Sequence, residues 1–393
     1  MSTVADLILR NGRITTLAAM QAKVDALAIA GGRILALGDA ASVEAYRGPA
    51  TQVVDLGGRR VIPGLNDSHL HLIRGGLTYN LELRWDGVPS LDEALRMLYA
   101  QVERTPPPQW ARVIGGFNAL QFRERRLPTL DELNAIAPET PVFILHLYDR
   151  ALLNRAALRA MGWEDQVPAF PAAEVELDAR GRPTGLLVAA PNAMILYAAI
   201  GKLPTLDEDD RVNSTRLFLR ELNRLGITSA IDAAGGGFTY PDDYRVVEKL
   251  RDSGDLTVRI AYNLLTTQPG AELDQYRSWA KLGGPGDGDE FLRHNGAGEL
   301  LVWSGVDFED FRQPRPDLPA AMEADLADVI RFFAEQRWPF RLHATYDESI
   351  KRFLDVFEQV DRETPFLAYA GGSIIARRSP NRKSSALPHS AAG

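Results

Sequence analysis

The stretch VIPGLNDSHLHL, residues 61–72, decides how the chain is read. Val61 and Ile62 read as the end of a strand, and Pro63-Gly64 stops it. His69 and His71 follow at i and i+2, a spacing that on extended backbone sends both imidazoles to one side. Two neutral imidazoles aimed at one point suit a divalent metal such as zinc. An isolated His-x-His also fits one packed and one solvated ring, so the rest of the chain must supply further ligands.

The whole chain holds six histidines, His69, His71, His146, His294, His343 and His389. His343 ends the short apolar run in PFRLHATYD and precedes the helix-like ESIKRFLDVFEQV. A histidine at a later strand end, set beside the earlier pair, makes a shared metal the better explanation of all three.

The surroundings alternate. Residues 5–60 read as short strands with turn signals at Asn11-Gly12, Gly31-Gly32 and Gly57-Gly58, a small β-rich domain with hairpins. Beyond it, residues 111–118, 140–149, 226–236, 256–265, 298–305 and 339–347 are strand-like. Helix-like stretches such as DEALRMLYAQVER, STRLFLRELNRLG and ADLADVIRFFAEQR lie between several of them, with apolar residues at 3–4 spacing. This alternation predicts a mostly parallel sheet or (β/α)8 barrel, whose chemistry sits at strand C-termini. GGPGDGDE (283–290) lacks the Gly-Lys-Ser/Thr of a phosphate loop and reads as a plain loop.

Composition sets bounds. The chain has 393 residues, 45% of them hydrophobic, enough for a large α/β domain and a small second one. A net charge of −8 argues against nucleic acid or an anionic membrane as partner. Without cysteine there are neither disulfides nor thiolate ligands. The N-terminal MSTVADLILRNGRI has no signal-peptide pattern, and no apolar run approaches the ~18 residues of a membrane span. A cytoplasmic location is expected.

The motif PGxxDxHxH after a β-rich segment and before a barrel pattern resembles the amidohydrolase superfamily, and more closely amidohydrolase family 3, the branch containing N-substituted formamide deformylase. GGFNALQFRERRLPTLDELNAIAPETPV, LLNRAALRAMGW, LNRLGITSAIDA and LHATYDES are similar to that branch and occur in its order, so that the likeness runs over roughly 5–366. The resemblance implies a (β/α)8 TIM-type hydrolase barrel over 61–366 and a small N-terminal β-sandwich domain over 1–60. It implies metal-dependent hydrolysis of a C–N bond, of amide or N-formyl type, through a metal-activated water. His69 and His71 would be first-strand ligands and His343 the fifth-strand ligand.

The chain departs from the family at the fourth strand, where a carboxylated lysine is expected and GAGELLVWSGVDF offers Glu299. A glutamate can bind metal as a carbamate does; a surface or strand-end charge is the other reading. His146 lies near a place where the family has Asp-Gly-His and is not assigned as a ligand. Asp67 is expected to brace the turn, Asp232 and Asp307 to be ordinary loop acids, and Trp303, Phe308 and Phe311 to be core rather than pocket lining.

The tail raises a separate expectation. Only 50 residues follow His343, against about 31 per βα unit of a barrel, and residues 367–393 contain no acid but Arg377, Arg378, Arg382 and Lys383. Read one base out of register, the tail permits Asp-His-x-Glu-Thr-Ile-Ser, which resembles the family's sixth-strand segment. A truncation or frameshift near Phe366 is therefore expected, with 367–393 a disordered basic tail, the barrel incomplete and its last-strand aspartate missing. No catalytic residue is assigned. The alternative function is an inactive remnant that at most binds a metal through these histidines.

Overall fold

The computed structural model describes residues 4–18, 23–166, 174–189, 193–235, 239–307, 318–366 and 373–376. The chain divides into Met1–Asn66 with Gly226–Ser229, and Asp67–Leu225 with Ala230–Gly393. In the first unit, β1 (Leu7–Arg10), β2 (Arg13–Thr15), β3 (Lys23–Val24), β4 (Ala26–Ala30), β5 (Arg33–Gly38), α1 (Ala40–Glu44), β6 (Gln52–Asp55) and β7 (Arg60–Val61) form two sheets, ordered β5-β4-β1-β6 and β3-β2-β7. Gly31-Gly32, with φ of +56° and +74°, makes the expected antiparallel hairpin of β4 and β5. Asn11-Gly12 and Gly57-Gly58 do not make hairpins. They carry the chain from one sheet to the other, because β1 pairs parallel with β6 and β2 pairs parallel with β7. The two turns lie side by side, with Gly58 donating its N–H to the Asn11 carbonyl. Leu27 and Leu9 from one sheet and Ile14 and Val61 from the other share an apolar cluster.

The chain continues through β8 (Leu65–Leu70) and α2 (Leu72–Gly76) into an excursion. It comprises β9 (Glu82–Leu83), α3 (Leu91–Val102), β10 (Ala111–Val113), α4 (Leu130–Ile136), β11 (Val142–His146), β12 (Arg150–Leu153), α5 (Arg155–Met161), β13 (Glu174–Leu177), β14 (Pro183–Val188) and α6 (Met194–Ile200). Its sheet has the order β13-β14-β12-β11-β10-β9.

Regular alternation follows: α7 (Glu208–Arg224), β15 (Ile227–Asp232), α8 (Arg245–Asp252), β16 (Arg259–Leu264), α9 (Glu272–Trp279), β17 (Leu292–Ala297), α10 (Met322–Gln336), β18 (Arg341–Ala344), α11 (Asp347–Glu363) and β19 (Ser373–Ala376). Helices form where caps and stripes agree. Asp207 caps α7 ahead of Glu208, Asp209 and Asp210. In α11 Phe353, Val356, Phe357 and Val360 are buried at 3–4 spacing.

One sheet runs β17-β16-β15-β8 and a second pairs β18 with β19. Hydrogen bonds from Leu65 N to Gly226 O and from Ala233 N to Leu70 O make β8 and β15 parallel neighbours. β16 and β17 pair parallel, a parallel bridge joins Ala297 to Phe340, and β18 and β19 pair parallel. Strand ends thus gather on one side, as helical crossovers require. Among the described residues this series does not close into a barrel. Ser373–Ala376, within the stretch read as a disordered tail, is the strand β19; the rest of 367–393 lies outside the described residues.

The segment 298–305, read from sequence as a strand, is not one. β17 ends at Ala297, and a 3-10 turn covers Trp303–Gly305. The reason is close packing at the strand end. Gly296 has φ +143°, and a Cβ there would meet the Pro339 carbonyl oxygen at 2.0 Å, the same oxygen that accepts the Ala297 N–H at 2.9 Å. Gly296→Ala is expected to cost about 2–4 kcal/mol through strain and loss of the β17–β18 contact, read from the midpoint of chemical denaturation. An unchanged midpoint would show that this approach is not constrained.

Candidate metal centre

β8 delivers His69 and α2 starts from His71, so the two rings leave the same strand end and meet edge to face at 5.3 Å. The turn before them is braced by Asp67, whose carboxylate accepts the His69 N–H at 3.0 Å. Glu299 stands two residues past β17, and its carbonyl accepts the His343 N–H at 2.8 Å, which ties the fourth ligand position to β18.

The four side chains converge. Nε2 of His69 lies 3.4 Å from one Glu299 carboxylate oxygen and Nε2 of His71 lies 3.4 Å from the other. Nδ1 of His343 is 3.8 Å from Glu299 Oε2. Donor atoms of His69, His71 and Glu299 all lie within 4.8 Å of one another. Bonds of about 2.0 Å in a tetrahedron put ligand atoms about 3.3 Å apart, so the separations of His69, His71 and Glu299 fit a divalent ion such as zinc, while His343 stands outside that group of three, beside Glu299.

Protonation agrees with that fit. Burial holds the His69 pKa below its ordinary value against the pull of Glu299, and the positive charge of Arg341 adds to the lowering. Burial works to raise the Glu299 pKa. The hydrogen bond from His343 and the fields of His71, His69 and His343 outweigh it, so the carboxyl stays below its ordinary range.

Two aspartates read as loop acids prove to be buried braces. Asp232, at the end of β15, has no exposure and accepts N–H groups from Ile73 and Ala234, each at 3.1 Å. The Ala234 carbonyl in turn takes Nδ1 of His71, leaving Nε2 to face Glu299. Burial, against its backbone hydrogen bonds and with Glu299 adding, pushes Asp232 up to about 7. Asp307 does the same for the other strand. Its carboxylate accepts Thr345 N–H at 2.8 Å and Tyr346 N–H at 3.2 Å, and its carbonyl accepts the Thr345 hydroxyl at 2.7 Å. Thr345 Oγ1 lies 3.1 Å from Nε2 of His343, which leaves Nδ1 for the centre. Asp307 Oδ1 is buried with no partner among the described residues.

Arg341 went unnoticed in the sequence. At i−2 from His343 it shares that histidine's side of β18, and its Nη1 donates to the Ser68 carbonyl at 2.6 Å. The contact ties β18 to the backbone between Asp67 and His69.

The remaining candidates lie elsewhere. His146 is buried against Phe117 and bonds Asp149 through Nδ1 at 2.7 Å. His294 is buried, stacks on Tyr262 and bonds the Gly296 carbonyl. Trp303 sits in the 3-10 turn and donates its backbone N–H to the Glu272 carboxylate at 2.9 Å. Phe308, Phe311 and His389 lie outside the described residues.

A model of the amidohydrolase family matches residues 52–387. The N-substituted formamide deformylase of Arthrobacter pascens is 30% identical over 235 residues, 59% of this chain and 43% of that protein. Protein LONG AFTER FAR-RED 3 of Arabidopsis thaliana is 34% identical over 230 residues, 58% of this chain and 38% of that one. The chain spans about two-fifths of the length of these curated relatives. An uncharacterized metal-dependent hydrolase from Pyrococcus horikoshii superposes with a TM-score of 0.63 at 22% identity, covering 94% of this chain and 69% of that chain. That likeness carries a TIM-barrel-like α/β fold. No described helix is long and apolar enough to cross a membrane.

Removing the Arg341 tie leaves all four donors in place but frees their strands. Arg341→Met is expected to lower affinity for a divalent ion about 10–100-fold, measured by competition with a chromophoric chelator. Wild-type affinity in this variant would show that the contact does not organise the centre.

Proposed function

The chain belongs to the amidohydrolase family, and on that premise we propose that it is a metal-dependent hydrolase of carbon–nitrogen bonds in small amide-like molecules, N-formyl compounds among them. One observation carries the proposal: three imidazoles and a carboxylate converge where parallel strands end. His69, His71, His343 and Glu299 would hold the ion. A divalent ion bound there supplies Lewis-acid activation of water and of the scissile carbonyl.

The residues of the chain do the positioning. Neutral His69 and ionised Glu299 present lone pairs without first giving up protons. The single negative charge of Glu299 balances half the charge of a divalent ion. Asp232 and Asp307 fix which nitrogen of His71 and of His343 faces the centre, by holding the groups to which the other nitrogen bonds. Glu299 then stands in the family's fourth-strand position as a carboxylate supplied directly by the sequence.

The test is to strip the protein with a chelator, reload it with zinc, and measure bound metal and amine release from an N-substituted formamide together. Wild type is expected to take up metal and turn over. Glu299→Ala is expected to lose both, and His343→Ala to keep a more weakly held ion while turnover falls at least about 100-fold. Stoichiometric metal without hydrolysis of any amide would favour the non-catalytic metal-binding reading, and failure to bind metal would overturn both.

A further inference from the structure

Three residues after His71, on the first turn of α2, stands Arg74. Its guanidinium donates to the Tyr148 hydroxyl at 3.1 Å and lies 6.0 Å from the centre of the Tyr148 ring and 5.8 Å from that of Tyr197. The two rings are 6.0 Å apart. Among the described residues no carboxylate lies within ion-pair distance of Arg74; Glu82, the acid whose titration feels it, is paired with Arg84 at 2.5 Å.

The loop that presents Tyr148 is built rather than incidental. Leu147 and Tyr148 both hold positive φ, +47° and +58°, which side chains of this size seldom adopt. They do so between two anchors, since His146 bonds Asp149 side chain to side chain and the Asp149 N–H bonds the His146 carbonyl. Arg150 holds the second oxygen of Asp149. The buried His146 that the metal centre does not use thus fixes a turn whose two tip residues are 46% and 43% exposed. Arg74 connects this patch to the centre, since it stands one helical turn beyond His71, the N-cap of α2.

We propose that Arg74, Tyr148 and Tyr197 form the substrate-recognition subsite of the centre, taking a carboxylate carried by an amide substrate against two aromatic walls. This rests on the hydrolase reading for its purpose but not for its binding chemistry. A guanidinium with no acid partner among the described residues has N–H groups to offer a carboxylate beyond those it gives the tyrosines, and the flanking rings favour a substrate with an apolar or aromatic body beside the acid.

The experiment titrates the zinc-loaded full chain with N-formylphenylalanine and with its methyl ester, by calorimetry, and follows hydrolysis in parallel. The acid is expected to bind about tenfold or more tightly than the ester. Arg74→Met should abolish the difference with metal content unchanged, and Arg74→Lys should restore part of it. Equal binding of acid and ester, no binding of either, or a preference that survives Arg74→Met would overturn the subsite. A preference without hydrolysis would leave the subsite standing and sink the hydrolase reading. Hydrolysis with no preference would do the reverse.

Discussion

The Glu299 carboxylate lies among imidazoles from strands that are more than two hundred residues apart in sequence, with His69 and His343 near one oxygen and His71 near the other. Bringing one buried negative charge to that point constrains the neighbouring structure. Without partners, a largely buried carboxylate is costly; here three imidazoles supply them. The strand that leads to it must end early and pack tightly, which is why Gly296 lies against the Pro339 carbonyl and the apolar run after it turns away.

The histidines are held as firmly as the carboxylate, and by one device used twice. A buried aspartate takes the backbone N–H of a residue that in turn bonds the far nitrogen of the histidine. Asp232 works through Ala234 on His71, and Asp307 works through Thr345 on His343. Each brace spans elements distant in sequence. The orientation of the rings is thus set by the packing of the strands and not by local backbone alone.

The candidate metal-binding histidines were legible in the sequence because their signal is local. Two histidines at i+2 after Pro-Gly, and a histidine closing a short apolar run, state strand, end and chemistry within a dozen residues. The braces were not legible, since an acid after a strand looks the same whether it is solvated or buried, and only tertiary hydrogen bonds distinguish the two. Turn chemistry had the same limit. Asn11-Gly12 and Gly57-Gly58 carry the signature of Gly31-Gly32, yet they switch sheets, because left-handed backbone is needed for both purposes. Leu300, Leu301 and Val302 read as strand by their apolarity and are buried as loop. Arg74, Tyr148 and Tyr197 come from three separate segments and share no pattern at all.

The most direct measurement is X-ray absorption at the zinc edge of the zinc-loaded chain, wild type and His343→Ala. The expected wild-type shell is nitrogen and oxygen at about 2.0 Å, with imidazole scattering from three rings that falls to two in the variant. A shell without imidazole scattering, or one that His343→Ala leaves unchanged, would contradict the site described.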